Sequence, residues 1–173
     1  HPGDVNSYIS LSETYFLSGD SNKALETIKK ALDIAPTNTS AYALLVRIYK
    51  KEGAMDKAVE ALKQVLEYDP KSLTGYEAGV IYIDQGKFDD AVAVYQKAVE
   101  NYPGLAAMHF QLAVACQLKG DYMQAINSCK KAIELEPDNV SLLLGMVNVL
   151  MAQGDFAQAK ARVKFLRHIP QDT

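Results

Sequence analysis

Apolar residues return along this chain at intervals of three and four, as at Ala58, Ala61, Leu62, Val65 and Leu66, which is the stripe of an amphipathic helix. The residues around them are mostly Ala, Leu, Lys, Glu and Gln, all good helix formers. Glycines punctuate the pattern at Gly19, Gly53, Gly86, Gly120 and Gly154, spaced 34, 33, 34 and 34 residues apart. Five residues after each glycine stands an alanine: Ala24, Ala58, Ala91, Ala125 and Ala159. A proline closes each unit, at Pro36, Pro70, Pro103, Pro137 and, one residue early, Pro170. The pattern predicts a stack of five antiparallel helix pairs with the glycine in each turn, the first pair covering Val5 to Ser18 and Asn22 to Ile34.

Aligned by the glycine, the first helices present a core column of Leu11, Leu45, Ala78, Leu112 and Met146. One turn later comes a second column, Tyr15, Tyr49, Tyr82, Cys116 and Leu150. Between them runs a smaller column, Ser12, Val46, Gly79, Ala113 and Val147, expected to face the repeated alanine so that the two helix axes approach closely. Asp4, Asn38 and Asn139 stand where helix-capping side chains are expected, and Ser72 is the expected cap of the third unit. The fourth unit begins Gly104-Leu105, without a capping side chain.

Charge narrows the function. With 18 Lys and Arg against 21 Asp and Glu, the 173 residues carry a formal charge of -3, so the cationic excess of a nucleic-acid binder is missing. No apolar run approaches the roughly 18 residues needed to cross a bilayer, so no direct membrane insertion is expected. The chain opens His1-Pro2-Gly3 with no methionine, the look of a trimmed N-terminus. A cytoplasmic protein is the expectation, with periplasmic or membrane-tethered settings as alternatives. Cys116 and Cys129 fall on the two helices of one unit, offset along the axis by roughly 7 Å or more. Both are expected as buried thiols rather than as a disulfide. His109 and the two cysteines are too few for a metal site, and no nucleophile and base pair or phosphate-cradling loop recurs, so no active site and no cofactor are expected.

These columns resemble the tetratricopeptide repeat: a large residue, Leu and a small residue, Tyr, then Gly, Ala, an apolar or aromatic residue, Ala and Pro. The third unit matches best, with Ala78, Gly79, Tyr82, Gly86, Phe88, Ala91, Tyr95, Ala98 and Pro103 in place. Gly75 stands where a bulky residue is usual, His109 and Leu143 fill that column later, and Cys116 replaces a tyrosine. The resemblance implies an all-α fold, a right-handed α-α superhelix of five repeats at 5–38, 39–71, 72–105, 106–139 and 140–171, after a linker or remnant at 1–4. It also implies a non-catalytic scaffold or adaptor whose first helices line a concave face holding a partner peptide or helix.

The family's best-known ligand mode clamps a C-terminal carboxylate with Lys, Asn and Arg. The matching positions here are Ile9, Glu13, Leu44, Leu73 and Glu77, so chaperone tails of that kind are not expected as partners. The predicted groove runs instead from Arg47 and Lys50 through Tyr76, Val80 and Ile83 to Phe110, Val114, Gln117, Leu144, Asn148 and Met151. Such a surface suits an amphipathic or apolar segment with an acidic residue at one end.

The ends carry their own expectations. Lys160 and Arg167 replace apolar columns, so the array should stop near Pro170, and Phe165 breaks a column that is otherwise polar. Tyr8, Ile9, Phe16 and Leu17 lack a preceding helix to cover them, which leaves self-association as an alternative to a separate partner. A further alternative is the recognition domain of a larger enzyme, or of an envelope or pilus assembly factor.

Overall fold

A computed structural model describes residues 4–166, with side chains as far as Lys164. Arg167, Pro170 and the side chain of Phe165, on which two of the expectations above rest, lie outside the described residues. Among those described the chain is all-α, with ten α-helices and one 3-10 turn. In order they are α1 (Val5–Leu17), α2 (Ser21–Ile34), α3 (Thr39–Lys51), α4 (Met55–Tyr68), α5 (Glu77–Asp84), α6 (Phe88–Asn101), α7 (Ala106–Lys119), α8 (Tyr122–Leu135), α9 (Val140–Gln153) and α10 (Phe156–Leu166). The 3-10 turn, Leu73–Tyr76, leads directly into α5.

The chain forms two compact units divided between Ile81 and Tyr82, inside α5. In the first, each helix packs on the next from α1 to α4, the 3-10 turn packs on α4, and α1 also touches α3. In the second, α6 to α10 pack in sequence and α7 touches α9. Neighbour-only packing with first helix beside first helix is the arrangement of a repeat stack.

The turns follow the glycines as predicted: all five sit at positive φ, between 71° and 89°, where a side chain would be strained. At three of them the next residue is an aspartate that caps the second helix. Asp20, Asp121 and Asp155 accept from the backbone N–H of Lys23, Gln124 and Gln158, each at 3.0 Å. These caps escaped the sequence reading, although the repeated Gly-Asp pair was there to signal them. The predicted caps of α1, α3 and α9 form: Asp4 accepts from Asn6 and Ser7, Asn38 from Ala41, and Asn139 from Ser141 and Leu142. Ser72 does head the 3-10 turn, but its side chain makes no capping bond, and Leu105 heads α7 without one.

The repeated alanines are sealed in every pair: Ala24, Ala58, Ala91 and Ala125 are wholly buried and Ala159 nearly so. Leu45, Ala78, Leu112 and Met146 are buried with them, but Leu11 at the head of the same column is 44% exposed. It belongs to the first helix, where no earlier helix supplies cover among the described residues. Cys116 and Cys129 are free and buried, and burial pushes each thiol up to about 11. His109 is half-buried, with Nε2 at 2.8 Å from the Pro103 carbonyl, so the ring ties α7 to the loop before it. Lys160, which replaces an apolar column, is exposed.

Gly75 lacks the bulky side chain usual at its position because Leu66 occupies the space; a Cβ there would collide with the leucine. Gly145 is the same case in the second unit, where the ring of Phe110 lies against it.

Candidate functional site

The first unit contains a cleft of about 400 Å³, within the size range of ligand sites. Its walls come from three successive first helices: Phe16 from α1, Ala43, Val46, Arg47 and Lys50 from α3, and Thr74 and Glu77 from the 3-10 turn and α5. The periodicity of α3 explains the floor and rim, since Ala43, Val46, Arg47 and Lys50 recur at three and four spacing on one face.

The two cations of α3 stand between an acid of α1 and an acid of α5. Arg47 donates to the Glu13 carboxylate at 2.6 Å and Lys50 to Glu77 at 2.9 Å, with all four side chains 45–50% exposed. Lys51 donates to the Phe16 carbonyl at 3.2 Å. Its Nζ also lies 4.8 Å from the centre of the Phe16 ring, and the Arg47 guanidinium 5.1 Å from it. Two cations therefore lie against one aromatic ring. The sequence reading picked Arg47 and Lys50 for the groove; the structure gives each an acidic partner from an adjacent repeat. Glu13 and Arg47 are 34 residues apart, the same column of successive repeats, so opposite signs in that column were the available signal. Phe16, Ala43, Val46, Thr74 and Glu77 were missed as walls of a cleft.

Tyr76, predicted to face the groove, is only 3% exposed, and its hydroxyl donates to the Pro70 carbonyl at 3.0 Å. It is a packing residue of the 3-10 turn and offers no surface to a partner. Val80, in the same unit, is 47% exposed as expected.

The remaining predicted residues belong to the second unit. Phe110 is half-buried, packed on the cluster of Ala106, Ala132 and Leu142. Ile83, Val114 and Gln117 are half-buried, and Asn148 is exposed. Leu118, Leu144 and Met151 are 44%, 48% and 49% exposed, so α7 and α9 leave apolar surface uncovered. Among the described residues, no group of three His, Cys, Asp or Glu side chains is placed to hold a metal ion, and no helix is long and apolar enough to cross a membrane.

Helix pairs stacked by nearest-neighbour packing, turning on left-handed glycines and sealed by buried alanines, define a helical-repeat protein. The chain belongs to the tetratricopeptide repeat family. The model of the tetratricopeptide repeat protein 21 C-terminal ARM domain matches residues 3–142, and a tetratricopeptide repeat model matches residues 117–172. No curated protein matches the chain significantly. Among solved structures, residues 41 to the end of MamA from Desulfovibrio magneticus RS-1 superpose with a TM-score of 0.79 at 18% identity, over 100% of both chains. PilF of Pseudomonas aeruginosa gives 0.67 at 20%, over 98% of this chain and 78% of that one. YrrB, described as a TPR protein with an unusual peptide-binding site, gives 0.76 at 17%, over 98% and 88%. These likenesses show the fold. In this family it serves as a protein–protein interaction scaffold, typically without catalysis.

Proposed function

We propose that this chain is a non-catalytic adaptor that docks a peptide or helix of a partner protein on the faces of its first helices. The cleft of the first unit is the anchoring site, with Val80 beside it on α5. The second unit carries apolar surface of its own on Val114, Leu118, Leu144 and Met151. The observation that carries the reading is the cleft itself, about 400 Å³ between residues of three successive first helices, with Phe16 and Ala43 as its accessible apolar lining. The peptide-binding site in the description of YrrB supports the same use of the fold. The test is capture of interacting proteins from native extract by the wild-type chain and by Val80→Glu/Leu144→Glu, both exposed positions. A partner lost with the variant, at unchanged helicity, supports docking on these faces; a partner kept excludes them.

A second reading is self-association through α1, where Leu11 is 44% and Leu17 72% exposed. It requires a molar mass in sedimentation that rises with concentration and returns to the monomer with Leu11→Lys/Leu17→Lys.

A further inference from the structure

Arg47 and Lys50 lie one turn apart on α3, and each holds a carboxylate brought by a different helix, Glu13 from α1 and Glu77 from α5. Arg47, Lys50 and Glu77 also line the cleft, so the ion pairs stand at the rim of an apolar floor. Pairs this exposed contribute little to stability and exchange readily with other partners. Adding Lys51, the rim carries three cations against two acids.

We propose that Glu13 and Glu77 are tethered stand-ins for the carboxylates of an acidic partner segment, and that such a segment binds by displacing them. The inference rests on the docking reading above and names the chemistry of its partner. The occupant is an internal stretch of peptide with a bulky aliphatic side chain flanked by glutamate or aspartate. The aliphatic group meets Phe16 and Ala43, while the flanking carboxylates take the seats that the protein's own acids now hold on Arg47 and Lys50. A planar guanidinium already engaged with one carboxylate at 2.6 Å is shaped for another. A basic segment is disfavoured, because two cations already lie beside the Phe16 ring. The places of a C-terminal carboxylate clamp here are Ile9, Glu13, Leu44, Leu73 and Glu77, none of them a cation, and Arg47 and Lys50 are not among them. Side-chain carboxylates, rather than a chain end, are what the cleft reads.

The experiment uses two blocked nonapeptides, acetylated and amidated, with a central leucine flanked by glutamates in one and by glutamines in the other. Binding to the full chain is followed by fluorescence anisotropy. The glutamate peptide should bind the wild type better than the glutamine peptide, and should weaken as salt rises from about 0.05 to about 0.5 M. Glu13→Gln/Glu77→Gln should tighten it by about tenfold, and Arg47→Gln/Lys50→Gln should weaken it by at least about tenfold. Equal affinity for the two peptides, untouched by the glutamate substitutions, overturns acid recognition and leaves apolar docking standing. Binding of neither peptide overturns it too, with the docking reading then judged by the Val80→Glu/Leu144→Glu capture. A dimer that Arg47→Gln/Lys50→Gln dissolves would seat a second copy in the cleft and likewise overturn it.

Discussion

The hydroxyl of Ser12 donates to the backbone carbonyl of Ala24 at 2.8 Å, and both residues are wholly buried. The bond joins α1 to α2 where the small column meets the repeated alanine, so the closest approach of the two helices is also tied by a polar contact. Ser12→Ala should cost about 1 kcal/mol, read as a lower urea midpoint at unchanged slope. Ser12→Leu should cost more, because the crossing has no room for the larger side chain.

Ala91, the repeated alanine of α6, is a second test of close packing. Ala91→Leu should cost on the order of 1 to 3 kcal/mol in a denaturant titration, since the alanine is wholly buried.

Gly145 is a separate test of packing, because a methyl group there meets the Phe110 ring. Gly145→Ala should destabilise despite alanine's better helix propensity, by about 1 to 2 kcal/mol. Phe110→Leu should recover part of the loss in the double variant, and the coupling measured in a double-mutant cycle should be non-zero.

Caps give predictions in both directions. Asn139→Ala should cost about 1 kcal/mol in thermal or urea unfolding, because α9 loses its only side-chain cap. Ala54 heads α4 with no side-chain cap, at φ -83° and ψ 63°, close to the φ -87° and ψ 74° at which Asp20 caps α2. Ala54→Asp should therefore stabilise by about 0.5 to 1 kcal/mol.

The titrating groups set both pH limits. Asp4 is held below its ordinary value chiefly by the Ser7 hydroxyl, and Asp20 chiefly by Lys23. Their stabilisation is present above the ordinary carboxylate value of 3.8 and is lost as pH falls through the lower folded values. At the alkaline side, Cys116 and Cys129 rise from 9.0 to about 11 and Tyr95 from 10.0 to about 12. Each must stay neutral in the fold, so stability is full below the unfolded values and falls as pH rises through the folded ones. Melting temperatures should be level near neutrality and drop below about pH 4 and above about pH 9. At neutral pH neither thiol should react with a disulfide reagent until denaturant is added.

The pairing of helices, their turns and the buried alanines were legible in the sequence because each depends on one spacing repeated five times. Tyr76 was misread because the third unit does not begin like the others. Its connection is a residue shorter, Gly75 leaves room for Leu66, and the backbone enters as a 3-10 turn of three residues per turn, which carries Tyr76 inward. The Glu13–Arg47 and Lys50–Glu77 pairs depend on distances between helices that periodicity does not fix. Leu11 kept its column but not its cover, since no helix precedes α1 among the described residues.

The walls of the cleft are all encoded between Phe16 and Glu77, in the first half of the chain. Every wall of the cleft is thus carried by the first unit, so a substitution confined to α6–α10 leaves all the residues that line it unchanged.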